Sequence, residues 1–277
     1  MSGYLRLLRP LNGAMAAIAV LIAVLITSAY QMPGSLRLDI VLAMVVVFLF
    51  IGAGNALNDY YDREVDRVNH PGRPLPSGKL RPADALRFSG ALFASAIALS
   101  IFINLECLLL VLVNVGLMVS YELRLKSRGL SGTAVISWLT ATIFLFGGLA
   151  VYENVEQLFR ISTVSLLAFT ASLGREIAKD VQDVEGDVGR TTLPKQVGTT
   201  GASAAAAALF TLTALLSMLP LWFGLFEFFY IPAILVADAI FIYCGTVLFE
   251  NPKAASALAK AGMLAALAAF LVGGIGA

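Results

Sequence analysis

The sequence is poor in the side chains most enzymes use for chemistry. It has one histidine, His70, and two cysteines, Cys107 and Cys244. No disulfide framework and no zinc-ligand spacing can be built from these. His70 reads as a loop histidine, and no Ser-His-Asp or Cys-His pattern accompanies it. Both cysteines lie in apolar runs and read as small buried hydrophobes. Charge is scarce too: 13% of residues are Asp, Glu, Lys or Arg, and the net charge is +1. That balance gives no electrostatic basis for a nucleic-acid partner. Soluble domains are about 25% charged and about 45–50% apolar. This chain is 59% hydrophobic, with a mean hydropathy of +0.86, the composition of an integral membrane protein in contact with membrane lipid.

About 20 apolar residues cross the ~30 Å hydrocarbon core as a helix. Nine segments qualify, roughly 11–31, 38–58, 83–103, 106–123, 131–152, 160–179, 202–221, 227–248 and 256–275. The first is too long for the apolar core of a signal peptide and lacks a clear cleavage site, so it reads as a retained span. The prediction is all-α: a single polytopic domain over 1–277, with nine transmembrane helices. With the N-terminus inside, only Arg37 and Arg160 of the 19 Lys and Arg fall outside. The positive-inside rule therefore places the N-terminus in the cytoplasm and the C-terminus outside the cytoplasmic membrane. The dense small residues of the last third, as in ASAAAAAL and AGMLAALAAF, let helix backbones approach closely in lipid.

Half of the 18 acidic residues fall in two short stretches. The first, Asn58 to Asp66, reads NDYYDREVD and directly follows the second span. If that span continues as a helix, Asn58, Asp62 and Asp66 share one face at spacings of four. The second stretch follows the sixth span, and Glu176, Asp180, Asp183 and Asp187 recur there at four, three and four. Like charges at helical spacing repel unless a cation lies between them. All-oxygen ligands without imidazole or thiolate favour a hard ion such as Mg2+. The stretches also repeat each other. NDYYDREVD overlays KDVQDVEGD without a gap, pairing Asp59 with Asp180, Asp62 with Asp183 and Asp66 with Asp187. Downstream, RPLPSG parallels TTLPKQVG, pairing Pro76 with Pro194 and Gly78 with Gly198. This is an internal duplication of a span, an acidic segment and a Leu-Pro turn. Mg2+ commonly takes one or two carboxylates plus substrate phosphate oxygens, so the expected partner is a diphosphate.

Cations surround both stretches. Arg9 and Asn12 begin the first span, Arg63, Arg67 and Arg73 interleave with the first stretch, and Arg175, Lys179 and Arg190 flank the second. Lys126 and Arg128 dominate the very short loop YELRLKSRG, where they can grip phosphate as a point charge and a fork respectively. Positive-inside topology accounts for many of the other cations without a ligand. HPGRPLPSGKLRP, with Pro71, Pro74, Pro76 and Pro82, cannot be regular helix and is expected as a stiff loop.

These motifs resemble those of the UbiA-type intramembrane prenyltransferases. NDYYDREVD fits their NDxxDxxxD signature, DVQDVEGD fits their DxxDxxxD signature, and YELRLK fits the tyrosine-to-lysine element after the fourth helix. The resemblance covers nearly the whole chain. RPLNGAM, NHPGRPLPSG and REIAKDVQDVEGD followed by TTLP are most similar to the archaeal ether-lipid branch. Chlorophyll synthases and related aromatic prenyltransferases share parts of these segments. The resemblance implies a helical bundle around a central cavity, with the acidic motifs capping its cytoplasmic end. It implies Asn58, Asp62, Asp66, Asp183 and Asp187 as metal ligands, with Asp180 close by. It implies Lys126 at the donor diphosphate, and Arg9, Asn12 and Tyr121 near the substrates. The implied reaction is Mg2+-dependent transfer of a geranylgeranyl group from an isoprenoid diphosphate donor to the free hydroxyl of a lipid-phosphate acceptor, geranylgeranylglyceryl phosphate. Aromatic prenylation is the alternative. A cation-coupled transporter fits less well, because its sites lie near the midplane, whereas these motifs lie at one edge in a parallel repeat. A membrane scaffold needs no two acidic faces in register.

Overall fold

The computed structural model describes residues 3–29, 37–184, 186, 191–226 and 228–273. Among the described residues the secondary structure is helical, with no strand beyond one isolated backbone bridge between Arg128 and Thr191. In chain order the helices are α1 (Gly3–Leu8), α2 (Pro10–Thr27), α3 (Leu38–Tyr61), α4 (Arg63–Asn69), α5 (Pro82–Ser100), α6 (Leu105–Ser120), α7 (Leu130–Leu149), α8 (Val155–Asp183), α9 (Leu193–Leu216), α10 (Leu219–Trp222), α11 (Tyr230–Val247) and α12 (Pro252–Val272). A π-helical turn, Tyr121–Leu125, continues α6.

Local chemistry sets many of the starts. Asn104, Asn154 and Asn251 each precede a helix and accept a backbone N–H from its first turn. That satisfies a donor with no partner inside the helix. Pro82 and Pro252 stand at first helical positions, where the missing N–H is not needed.

Most of the described part of each of the nine segments falls on a long helix; residues 30–31, 227 and 274–275 of these segments lie outside the described residues. Seven of the described helices are long and apolar enough to cross a membrane by length and composition. The other two are α5 and α8, which carry charge at their ends. The ends also differ from those read in the sequence. The sixth segment, expected over 160–179, extends to Asp183 in α8, which places Asp180 and Asp183 on the helix itself. In α9 a short helical piece from Leu193 is broken at Gly198, with φ of 80° and ψ of 158°, so the seventh segment, expected from 202, lies on the helix that follows this break.

The chain divides into two compact units. One comprises Met1–Val24, Pro33–Glu122 and Phe146–Val151. Within it, Leu7, Ala56, Leu75 and Ala85 form a buried cluster against Tyr60, Leu80 and Phe88. The proline-rich loop therefore folds as consecutive turns and is pinned to α1, α3 and α5 through Leu75. The other comprises Leu25–Met32, Leu123–Leu145 and Tyr152–Ala277. There α8, α9, α11 and α12 pack through small residues. A Cβ on Gly174 would meet the Phe210 ring at 2.9 Å, and one on Gly262 would meet Phe241 at the same distance. Close approach of this kind is how helices associate in lipid.

The internal duplication has a conformational counterpart. Gly78 and Gly198, paired in the overlay, have φ of 71° and 80°. Both sit in open space, so the backbone and not crowding selects glycine. The paired leucines before the prolines, Leu75 and Leu193, are both buried.

Candidate active site

The first acidic stretch is nearly continuous helix. Asp62 N–H donates to the Asn58 carbonyl, Asp66 to Asp62, and His70 to Asp66, each at 2.8 Å. Asn58, Asp62 and Asp66 therefore stack one turn apart, as their spacing implied. Asp62 itself marks a slight break between α3 and α4, with ψ of 1°.

Two arginines close on the buried face of this stretch. The Arg9 guanidinium donates to Asp59 Oδ1. Arg73 Nη1 donates to Asp66 Oδ2 at 2.6 Å and lies 3.6 Å from Asp59 Oδ1. Asp59 and Asp66 are 2% and 4% exposed, and carboxylates so buried persist as ions only when paired. Arg9 reaches Asp59 from the junction of α1 and α2, where its φ is 47°, a left-handed conformation unusual for a side-chain-bearing residue. On the other side Asn58 Nδ2 donates to Glu122 Oε1 at 2.9 Å. Arg9, Arg73 and Glu122 thus form a cluster around Asn58, Asp59 and Asp66 of the stretch.

Other predicted residues stay outside this cluster. The Arg63 guanidinium bonds the Tyr60 carbonyl at 2.8 Å and lies over the Tyr60 ring. Arg67 pairs with exposed Glu64 at 2.8 Å. Asn12 is exposed in the first turn of α2, and Tyr121 opens the π-helical turn.

In the other unit, Asp180 Oδ2 accepts from the Thr133 hydroxyl at 3.2 Å. Asp183 closes α8, and its carbonyl accepts Gly186 N–H at 2.9 Å. Lys179 is exposed on the same helix. Asp187 lies outside the described residues. The loop bearing Lys126 and Arg128 is tied to the segment after the second stretch: Thr191 N–H donates to the Ser127 carbonyl at 3.2 Å. Backbone pairing thus joins two regions that the sequence showed only as separate basic and acidic runs.

The donors fit a hard divalent cation in type: carboxylates and an amide oxygen, with both cysteines buried elsewhere. Among the described residues no three acidic, histidine or cysteine side chains gather closely enough to hold an ion by themselves.

Reading the sequence missed Glu122 and underrated Asp59. Glu122 stands beside the predicted Tyr121 as an acid at the end of an apolar run, a position that is costly without a partner. Asp59 appeared only as one member of the overlay.

The model of the UbiA prenyltransferase family matches residues 16–272. A digeranylgeranylglyceryl phosphate synthase of Methanosphaera stadtmanae is 37% identical over 282 residues, covering 99% of this chain and 100% of its own. Among solved structures, one offering insights into digeranylgeranylglyceryl phosphate synthase in membranes superposes with a TM-score of 0.89 at 35% identity, over 99% of this chain and 98% of that one. A UbiA homolog from Archaeoglobus fulgidus bound to DMAPP and Mg2+ has a TM-score of 0.63 at 19% identity, over 98% and 100%. That last likeness concerns the fold alone.

Proposed function

The chain belongs to the UbiA prenyltransferase family, and from that premise we propose that it forms the second ether bond of archaeal membrane lipids. The donor is geranylgeranyl diphosphate and the acceptor is the free hydroxyl of geranylgeranylglyceryl phosphate. The observation that carries this reading is full-length similarity to digeranylgeranylglyceryl phosphate synthase at 37% identity, in a chain that keeps both acidic stretches.

Nine helices cross the membrane in this reading, as one domain with the N-terminus cytoplasmic. For α5 and α8 the charges lie near the helix ends. In α8 the uncharged stretch between Arg160 and Arg175 is about 21 Å long at 1.5 Å per residue. The flanking arginines extend it by reaching toward the interfaces.

The allylic C–O bond of the donor breaks, and its electron pair leaves with the diphosphate. The acceptor oxygen bonds to the allylic carbon and releases its proton. The proposed oxygen ligands are Asn58, Asp62 and Asp66 in one unit and Asp180, Asp183 and Asp187 in the other. Mg2+ bound by such ligands would supply a Lewis acid for the charge developing on the diphosphate. Within one unit Arg9 and Arg73 supply positive charge beside the first stretch, and within the other Lys126 and Arg128 are the proposed cationic partners of a diphosphate. Apolar helices keep water from the cationic carbon, which would otherwise end as an alcohol.

Diphosphate release from geranylgeranyl diphosphate, measured in detergent with the acceptor present, tests the reaction type. Asp62→Asn and Asp183→Asn are each expected to slow release by about 100-fold or more, the scale of losing one contact to developing charge, and EDTA to stop it. Near-normal release by both variants removes the metal assignment.

A further inference from the structure

Asn58 is the only amide at the stacked positions of the first stretch, and its partner explains why. Glu122 is 7% exposed and stands in the π-helical turn after α6. Its chain neighbours Leu123 and Arg124 are exposed, so the turn directs Glu122 inward. π turns of this kind concentrate at functional sites. Across 64 positions of sequence, Glu122 Oε1 accepts from Asn58 Nδ2 at 2.9 Å. In this bond the acid accepts, and of the amide's two ends only the NH2 can donate. The amide therefore satisfies Glu122 in one orientation, with its NH2 toward the acid and its Oδ1 turned away. An aspartate at 58 would instead set two carboxylates against each other in a buried place.

We propose that Glu122 is a positioning residue that fixes the Asn58 amide so that Oδ1 is offered as a neutral oxygen ligand to the metal. The inference rests on the reading that the first acidic stretch holds a divalent cation. Glu122 touches neither substrate nor metal; it acts through Asn58. Partners that orient metal ligands typically account for a 10- to 100-fold change in metal affinity.

The test is Mn2+ binding by the purified full chain with inorganic diphosphate, read as loss of the free-ion paramagnetic resonance signal. Glu122→Ala is expected to weaken Mn2+ by about 10- to 100-fold. Asn58→Asp alone should weaken it comparably. The double variant Asn58→Asp/Glu122→Gln reverses donor and acceptor, because the new amide donates to the new carboxylate, and should return affinity to within a few-fold of the parent. Should Glu122→Ala leave buried Cys107 reactive to a thiol dye before heating, Glu122→Gln and the double variant carry the test. Parental affinity in Glu122→Ala, or a double variant no tighter than Asn58→Asp, overturns the proposal. Asp62→Asn separates the two readings. If it loses Mn2+ while the Glu122 variants keep it, only the role of Glu122 fails. If it too binds normally, the metal reading fails with it.

Discussion

Replacing Arg73 by glutamine should destabilise the unit that carries the first acidic stretch, by an amount its contacts define. Arg73 bonds Asp66 at 2.6 Å, with side chains 31% and 5% exposed, and lies 3.6 Å from Asp59. Removing one partner of a buried pair costs about 3–5 kcal/mol, chiefly because the other charge is stranded. Water reaches the outer part of Arg73, and Arg9 still pairs with Asp59, so the low end applies: about 3 kcal/mol. For a chain of this size that corresponds to a fall in Tm of about 6–12 °C. The protein supplies its own reporter. Cys107 and Cys244 are both buried, and Cys107 belongs to the same unit as Arg73. In a Cys244→Ala background, a thiol-reactive dye followed during heating in detergent reports that unit alone. All variants are compared at one scan rate, because membrane proteins often unfold irreversibly. Arg73→Gln/Asp66→Asn, which removes both charges, should recover most of the loss. A midpoint for Arg73→Gln equal to the parent, or a double variant as labile as the single, would refute the argument that buried Asp66 depends on Arg73 as its partner.

Two further predictions concern the repeated Leu-Pro turns. Leu75→Ala opens a hole among Leu7, Ala56 and Ala85 and should cost about 2–5 kcal/mol, visible as earlier dye labelling of Cys107. Gly78→Ala and Gly198→Ala meet no atom but force a positive φ on alanine, at about 1–3 kcal/mol each. A stabilised protein in either case would mean that the two turns are not conformationally constrained.

Much of this arrangement was legible in the sequence because it is local. Helical spacing placed Asn58, Asp62 and Asp66 on one face, and the backbone bonds follow that spacing. The overlay of the two acidic stretches paired Gly78 with Gly198 before their shared positive φ was visible. The missed features are tertiary. Nothing in the spacing of YELRLK shows that a π turn directs Glu122 to a residue 64 positions away. Nor could interleaved arginines be sorted from sequence into Arg73, which closes on buried Asp66, and Arg67, which pairs with exposed Glu64. The length of α8 was underestimated because its charged last turns look like loop when judged by hydropathy, although Ile177, Ala178 and Val181 on its inner face are buried.

The most direct measurement offers two acceptors to one enzyme. Purified protein in detergent with Mg2+ and labelled geranylgeranyl diphosphate receives geranylgeranylglyceryl phosphate in one reaction and 4-hydroxybenzoate in another. Label appearing in an ether-linked lipid phosphate in the first reaction alone is the predicted result. A prenylated aromatic in the second, with no ether lipid in the first, would contradict the proposed acceptor and move the protein to aromatic prenylation with the same site chemistry.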